Sequence, residues 1–197
     1  LGFIWFIHNS EIYRYDGYRS LNISQTIQEY ALLNDTPQKI VVDTQNRLWI
    51  AGQQRLSYLD LTTWQIHHIK NEVFAELNDK TVVWMKEMAN GAIMIAYQNG
   101  YLGLYHHNKW TLNKSLYEKS ITSNSAIIAQ SCTFWKGQYQ IGTSAGTLLS
   151  IDPTNENATS YIEFPTIQHA ITNLIALDNL LLIDVANQGL LTLHENG

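Results

Sequence analysis

Leu48-Trp49-Ile50-Ala51-Gly52, followed across a short polar gap by Leu56-Ser57-Tyr58-Leu59-Asp60, is the stretch whose reading decides the fold. The same pattern returns along the chain. Ile4-Trp5-Phe6 leads to Ile12-Tyr13-Arg14-Tyr15-Asp16-Gly17, and Ile93-Met94-Ile95 leads to Gly100 and Leu102. Gln140-Ile141-Gly142 leads to Gly146-Thr147-Leu148-Leu149-Ser150-Ile151-Asp152, and Leu181-Leu182-Ile183 to Gly189-Leu190-Leu191. Measured between Trp5, Trp49, Met94, Gln140 and Leu182, the steps are 44, 45, 46 and 42 residues. A period of about 40 to 50 residues in a strand-rich chain marks propeller blades. The expected fold is therefore an all-β propeller of four-stranded antiparallel blades, and a propeller is most often a binding platform.

Within the second repeat, strand A is expected at 39–43, strand B at 48–52, strand C at 55–61 and strand D at 64–70, with a turn at Thr62-Thr63. Strand B is apolar at consecutive positions, as in Ile93-Met94-Ile95-Ala96, which means cover on both faces. Strand D is more polar, as in Gln65-Ile66-His67-His68-Ile69, and suits an outer edge protected from further pairing. Helical turns fit only 25–33 and 71–77. The blades divide as 1–38 (strand A absent), 39–80, 81–122, 123–168 and 169–197 (strand D absent). Five blades with incomplete ends read as part of a larger propeller of about seven blades, the family range being about four to eight. Uncovered end blades should associate or aggregate.

The global numbers narrow the function. With 197 residues, 45% of them hydrophobic, the chain can bury a core. A formal charge of -5 without a basic cluster argues against nucleic acid. No apolar run approaches the ~18 residues of a membrane span, so no membrane contact is expected of this segment. The single Cys132 excludes an internal disulfide and leaves the redox compartment undecided.

The first repeat carries a more specific likeness. Leu1-Gly2-Phe3-Ile4-Trp5-Phe6 with Ile12-Tyr13-Arg14-Tyr15-Asp16-Gly17-Tyr18 resembles the two-component regulator propeller repeat, whose pattern runs Gly-x-Leu-Trp-Ile-Gly-Thr, a gap, then Gly-Leu-x-Arg-Tyr-Asp. Asp43-Thr44-Gln45-Asn46-Arg47-Leu48-Trp49-Ile50 matches the upstream half, and Ile141-Gly142-Thr143 with Gly146 matches the middle. Ile7 and His8 depart from the Gly-Thr of the motif, and the fifth copy has Leu182 for Trp and Asp184 for Gly. The resemblance implies the periplasmic sensor region of a hybrid histidine kinase of the Bacteroidetes type, which detects glycans. It further implies a neighbouring propeller and β-sandwich in the same receptor, and a homodimer in the full-length protein.

The expected ligand rim collects the B–C hairpins, which open on the same end as the D–A linkers. It comprises His8, Asn9, Gln53, Gln54, Tyr97, Gln98, Asn99, Ser144, Asn187 and Gln188. Amide and hydroxyl groups in so uncharged a chain suit the hydroxyls of an oligosaccharide. Tyr97 is expected to face the opening, whereas Trp5, Trp49, Tyr13, Tyr15 and Tyr58 are expected to pack between blades. Asp16, Asp60 and Asp152 recur after strand C, where Asp favours turns.

No catalytic residue, cofactor or metal is expected. His67-His68 and His106-His107 read as strand neighbours pointing to opposite faces, unable to share an ion. There is no nucleophile elbow or Gly-rich phosphate loop. Glu87 and Asp184 would be a carboxylate pair only across two blades. Sequons at Asn22, Asn34, Asn113 and Asn157 mean little in so Asn-rich a chain, and the bacterial origin that the resemblance implies would leave them unmodified. The expected function is a non-catalytic extracytoplasmic sensor. A lectin-like or protein-docking propeller without a signalling role is the alternative, and a propeller lyase or hydrolase would need a His and Glu cluster on one face.

Overall fold

A computed structural model describes residues 2–26, 35–53, 55–69, 81–88, 91–107, 109–113, 127–152 and 155–194. Five antiparallel sheets follow one another along the chain. The first holds β1 (Ile4–His8), β2 (Glu11–Tyr15) and β3 (Ser20–Asn22), after which comes the single turn α1 (Ile23–Thr26). The second holds β4 (Pro37–Val42), β5 (Arg47–Gly52), β6 (Leu56–Asp60) and β7 (Ile66–His68). The third holds β8 (Val82–Glu87), β9 (Ile93–Tyr97), β10 (Leu102–His106) and β11 (Lys109–Asn113). The fourth holds β12 (Ala129–Trp135), β13 (Gln138–Thr143), β14 (Thr147–Asp152) and β15 (Asn155–Glu163). The fifth holds β16 (Ile171–Ala176), β17 (Leu180–Val185) and β18 (Gly189–His194). Every sheet is a meander in chain order, which is the blade topology the repeat implied. Among the described residues each sheet shares a core with the next, but no core joins the first sheet to the last, so the sheets are not closed into a ring.

The apolar runs of strand B explain the stacking. Because a strand turns successive side chains to opposite faces, an uninterrupted run feeds two cores at once. Leu48 and Ile50 of β5 pack toward the first blade with Ile12 and Ile23, while Trp49 and Ala51 pack toward the third with Ile93, Ile95 and Tyr97. In β9 the other set, Met94 and Ala96, meets Tyr139, Ile141 and Leu149 of the fourth blade. Leu148 then faces Leu174, Leu181 and Ile183 of the fifth. Four cores thus alternate with five sheets. Where the repeat has Gln140 in place of an apolar residue, its Oε1 accepts the Ser150 hydroxyl at 2.6 Å, which gives that buried side chain a partner for its oxygen.

Hydrogen bonds join blades at positions one repeat apart. Val82 N–H donates to Gln38 Oε1 at 2.6 Å, Trp84 Nε1 to Ala129 O at 3.0 Å, and Trp135 Nε1 to Leu177 O at 3.0 Å. Their sequence separations are 44, 45 and 42 residues. The period read from the sequence is therefore also the spacing of the inter-blade bonds. The A strands β4, β8, β12 and β16 contact one another in turn, which makes them the inner strands.

Details differ from expectation at two places. Strand D of the second blade begins at Ile66, because the turn extends through Trp64 at φ 61°, closed by Trp64 N–H to Asp60 O at 2.8 Å. Near the first expected helical stretch a turn runs over Ile23–Thr26, beginning two residues early and capped by Asn22 Oδ1 accepting the Gln25 N–H at 3.2 Å; 27–34 and 71–77 lie outside the described residues. Two of the carboxylates after strand C, Asp16 and Asp60, behave as read. Asp16 Oδ1 accepts the N–H groups of Tyr18 and Arg19, both at 2.9 Å, and Asp60 Oδ1 those of Thr62 and Thr63 at 2.7 and 3.0 Å.

Candidate ligand rim

The B–C hairpins and D–A linkers meet at one end of the blades, held by a repeated backbone clamp. Gln53 N–H donates to Thr36 O at 3.2 Å, Gln98 to Thr81 O at 2.8 Å, Ser144 to Ile128 O at 2.8 Å, and Ala186 to Ala170 O at 3.0 Å. In each case the first loop residue after strand B grips the last residues before strand A of its own blade. The hairpins are tight. The first closes through Asn9 and Ser10, with φ of 49° and 63°, the all-left-handed pair that matches strand twist. The third and fourth turn on Gly100 and Gly146, at φ 84° and 77°. Gly146 is doubly required, since a Cβ there would also strike Ile167 and the His169 carbonyl. The rim is thus a rigid platform built from backbone bonds.

The expected rim residues separate into three groups. His8, Asn9, Gln53, Gln98 and Asn187 are exposed on the hairpins. The side-chain amides of Asn9, Gln53, Gln98 and Asn187 carry no hydrogen bond to the described residues, so their capacity is open to a ligand. His8 leans its ring edge on Tyr13, with centroids 6.2 Å apart.

A second group is occupied by the fold. Ser144 Oγ accepts the Ile128 N–H at 2.9 Å, and Asn99 Oδ1 the Tyr101 N–H at 3.3 Å. Gln188 spans to the linker, donating to Thr166 O at 2.7 Å and accepting the Gln168 N–H at 2.9 Å. Tyr97 forms the third group and requires a correction. It is 0% exposed, in the core between the second and third blades, and burial raises its phenol pKa well above the usual range. Two residues on from Ile95, it shares that residue's inward face. Gln54 lies outside the described residues.

One rim residue was missed. Asp35, six per cent exposed, accepts the Arg55 N–H at 3.0 Å and sits where a side chain on Gly52 would stand. Asp at the end of a linker gives no repeat signal, so only the structure places it. In the first blade, Glu11 accepts from Tyr13 Oη at 2.8 Å and Asn22 Nδ2 at 2.7 Å, beside the His8 hairpin. These bonds lower the Glu11 carboxyl below its ordinary range and raise the Tyr13 phenol.

The His pairs divide. His67 stacks on Tyr58 with centroids 4.7 Å apart, while His68 Nδ1 meets Ser57 Oγ at 2.8 Å, so that pair does point to opposite faces. His106 and His107 do not: His107 leaves the strand at φ 48°, and the two rings stack 3.8 Å apart. The strand argument fails there because a turn residue does not alternate. Among the described residues no three His, Cys, Asp or Glu side chains group closely enough to hold a metal ion. Glu87 serves Thr44, accepting its N–H at 2.9 Å and its hydroxyl at 2.6 Å, and Asp184 accepts the Thr172 hydroxyl at 3.0 Å. Burial pushes the Cys132 thiol up to about 12.

No protein-family model matches the chain, and no curated protein does. Solved structures do. The extracellular domain of the hybrid two-component system BT4673 from B. thetaiotaomicron aligns over 99% of this chain and 31% of its own, at 17% identity and TM-score 0.59. PorZ, a surface component of the type-IX secretion system of Porphyromonas gingivalis, aligns over 99% and 26%, at 13% identity and TM-score 0.70. Virginiamycin B lyase from Staphylococcus aureus, in an H270A form with quinupristin, aligns over 97% and 66%, at 14% identity and TM-score 0.65. The chain spans about a third of the BT4673 domain and a quarter of PorZ. These likenesses establish the β-propeller blade architecture, which the extracellular domain of a two-component system, a secretion component and an enzyme share. Among the described residues no helix is long and apolar enough to cross a membrane.

Proposed function

We propose that the chain is a non-catalytic, extracytoplasmic sensor propeller of a hybrid two-component signalling protein, responding to a carbohydrate-derived ligand at the B–C rim. The observation that carries this reading is the set of side-chain amides on Asn9, Gln53, Gln98 and Asn187, exposed and unengaged on clamped hairpins. An amide both donates and accepts, as a sugar hydroxyl does, and the clamped backbone leaves only the side-chain rotamers to be ordered on binding. The propeller architecture shared with the BT4673 extracellular domain supports the sensor part. A ligand that prefers one arrangement of the receptor's domains biases the dimeric receptor toward it and so alters the kinase.

A glycan-array screen of the intact extracytoplasmic region tests the proposal. Binding of a neutral oligosaccharide, lost when the rim amides are removed, supports it. The protein-docking alternative draws on the exposed apolar residues of the end blades, Ile4 at 62% and Leu190 at 62%. It predicts no glycan binding at all.

A further inference from the structure

The opposite end of the second and third blades holds a cleft that the rim reading does not use. Its volume is about 220 Å³, and its walls include Gln45, Arg47, Tyr105, His106 and His107. Sites for drug-sized ligands run to roughly 300–1,000 Å³, so this one fits a single ring or a terminal group.

Arg47 is the fixed element of the cleft. Its Nε donates to Asp43 Oδ2 at 2.6 Å, and its guanidinium carbon lies 5.0 Å from the Trp49 ring and 5.2 Å from the Tyr58 ring. With the plane held and Nε occupied, the two terminal amino groups make no hydrogen bond to the described residues. Such a fork matches the two oxygens of a carboxylate. The left-handed turn at His107 brings its ring beside that of His106, which places two imidazoles on the same cleft. Lys109 stands opposite His106 in the strand register.

The nearby carboxylates are already committed. Asp43 accepts from Arg47 and from the Trp49 indole, and Glu87 from Thr44. Gln45, on the A–B turn, adds an amide that can meet a hydroxyl.

We propose that this cleft is a second binding site, taking a carboxylate-bearing ligand one sugar ring in size, of the uronic acid type. The carboxylate lies on the Arg47 fork beside the imidazoles, and the ring hydroxyls reach Gln45. The site is independent of the B–C rim, and its ligand is charged where the rim ligand is neutral.

Calorimetric titration of the protein with D-glucuronate and, separately, D-glucose tests the proposal. Glucuronate is expected to bind at least about tenfold tighter than glucose. Arg47→Lys keeps the charge but loses the fork, and should weaken glucuronate by about tenfold. His107→Ala, at an exposed turn position, should weaken it several-fold and carries the test if the Arg47 variant does not fold. Gln98→Ala, on the other rim, should leave glucuronate binding unchanged, which separates this site from the proposed sensor site. Equal binding of the two sugars, no glucuronate binding, or binding untouched by His107→Ala in a folded protein would overturn the proposal.

Discussion

Asp43 Oδ2 accepts the indole N–H of Trp49 at 2.7 Å, from a carboxylate side chain that is wholly buried. The end of one strand A is thereby tied to the middle of the adjacent strand B, and Asp43 Oδ1 closes the intervening turn on the N–H groups of Gln45 and Arg47. One carboxylate orders the turn, the ring and the Arg47 guanidinium together. Trp49→Ala removes a fully buried ring from the core between the second and third blades and should cost about 3–5 kcal/mol. Asp43→Ala leaves the indole, the Arg47 guanidinium and two turn N–H groups without their acceptor and should cost a comparable amount, about 3–5 kcal/mol. A urea melt in which Asp43→Ala costs less than about 1 kcal/mol would contradict the role given to that carboxylate.

Gly142 tests the packing of the fourth blade on the fifth. Its backbone is not left-handed, yet a Cβ would collide with Ile171 and the Ser131 hydroxyl. The requirement is one of space alone. Gly142→Ala should therefore destabilise by about 1–3 kcal/mol, as overpacking does. Because the nearest colliding atom is Ile171 Cγ2, a companion Ile171→Ala change removes it, and the two costs should be less than additive. If Gly142→Ala melts like the wild type, the two blades do not approach as closely as described.

Acid should loosen the turns. Asp16 and Asp60 have carboxyl pKa values below the ordinary range, first through the backbone N–H groups they accept, and Glu11 is lowered through Tyr13, Asn22 and Gln25. For groups depressed in the folded state, the stabilisation is complete above the unfolded values of about 4. It is lost as pH falls through the folded values. Thermal melts should therefore hold steady from neutral pH to about 5 and decline below about 4. The decline should be shallower in an Asp16→Asn, Asp60→Asn double variant.

Much of this was legible in the sequence, and the reasons are local. The strand B runs gave the buried inter-blade sheets because consecutive apolar residues need cover on both faces, and β5 and β9 are buried at nearly every position. Asp16 and Asp60 could be placed because an Asx turn depends on neighbours two and three residues away. Tyr97 was misjudged because its position at a hairpin outweighed its phase, although its alternation with Ile93 and Ile95 carried the answer. The capture of Gln188 by the linker and the stacking of His106 on His107 depend on where the backbone turns, which residue types do not encode.

The end blades expose apolar side chains, with Ile4 at 62%, Ile175 at 48% and Leu190 at 62%. Residues 1–197 in isolation should therefore associate. Light scattering should show a weight-average mass above that of a monomer, reduced by Ile4→Asp with Leu190→Asp. A monodisperse monomer of the unaltered segment would contradict the expectation.

The most direct test of the rim proposal is the affinity for a neutral oligosaccharide from the glycan screen, measured with and without Gln53 and Gln98. Both side chains are exposed on clamped hairpins, so replacing them by Ala should leave the melting temperature unchanged. Losing both amides should weaken binding about tenfold or more, equivalent to at least about 1.4 kcal/mol. An unchanged affinity in the folded double variant would contradict the assignment of the ligand to the B–C rim.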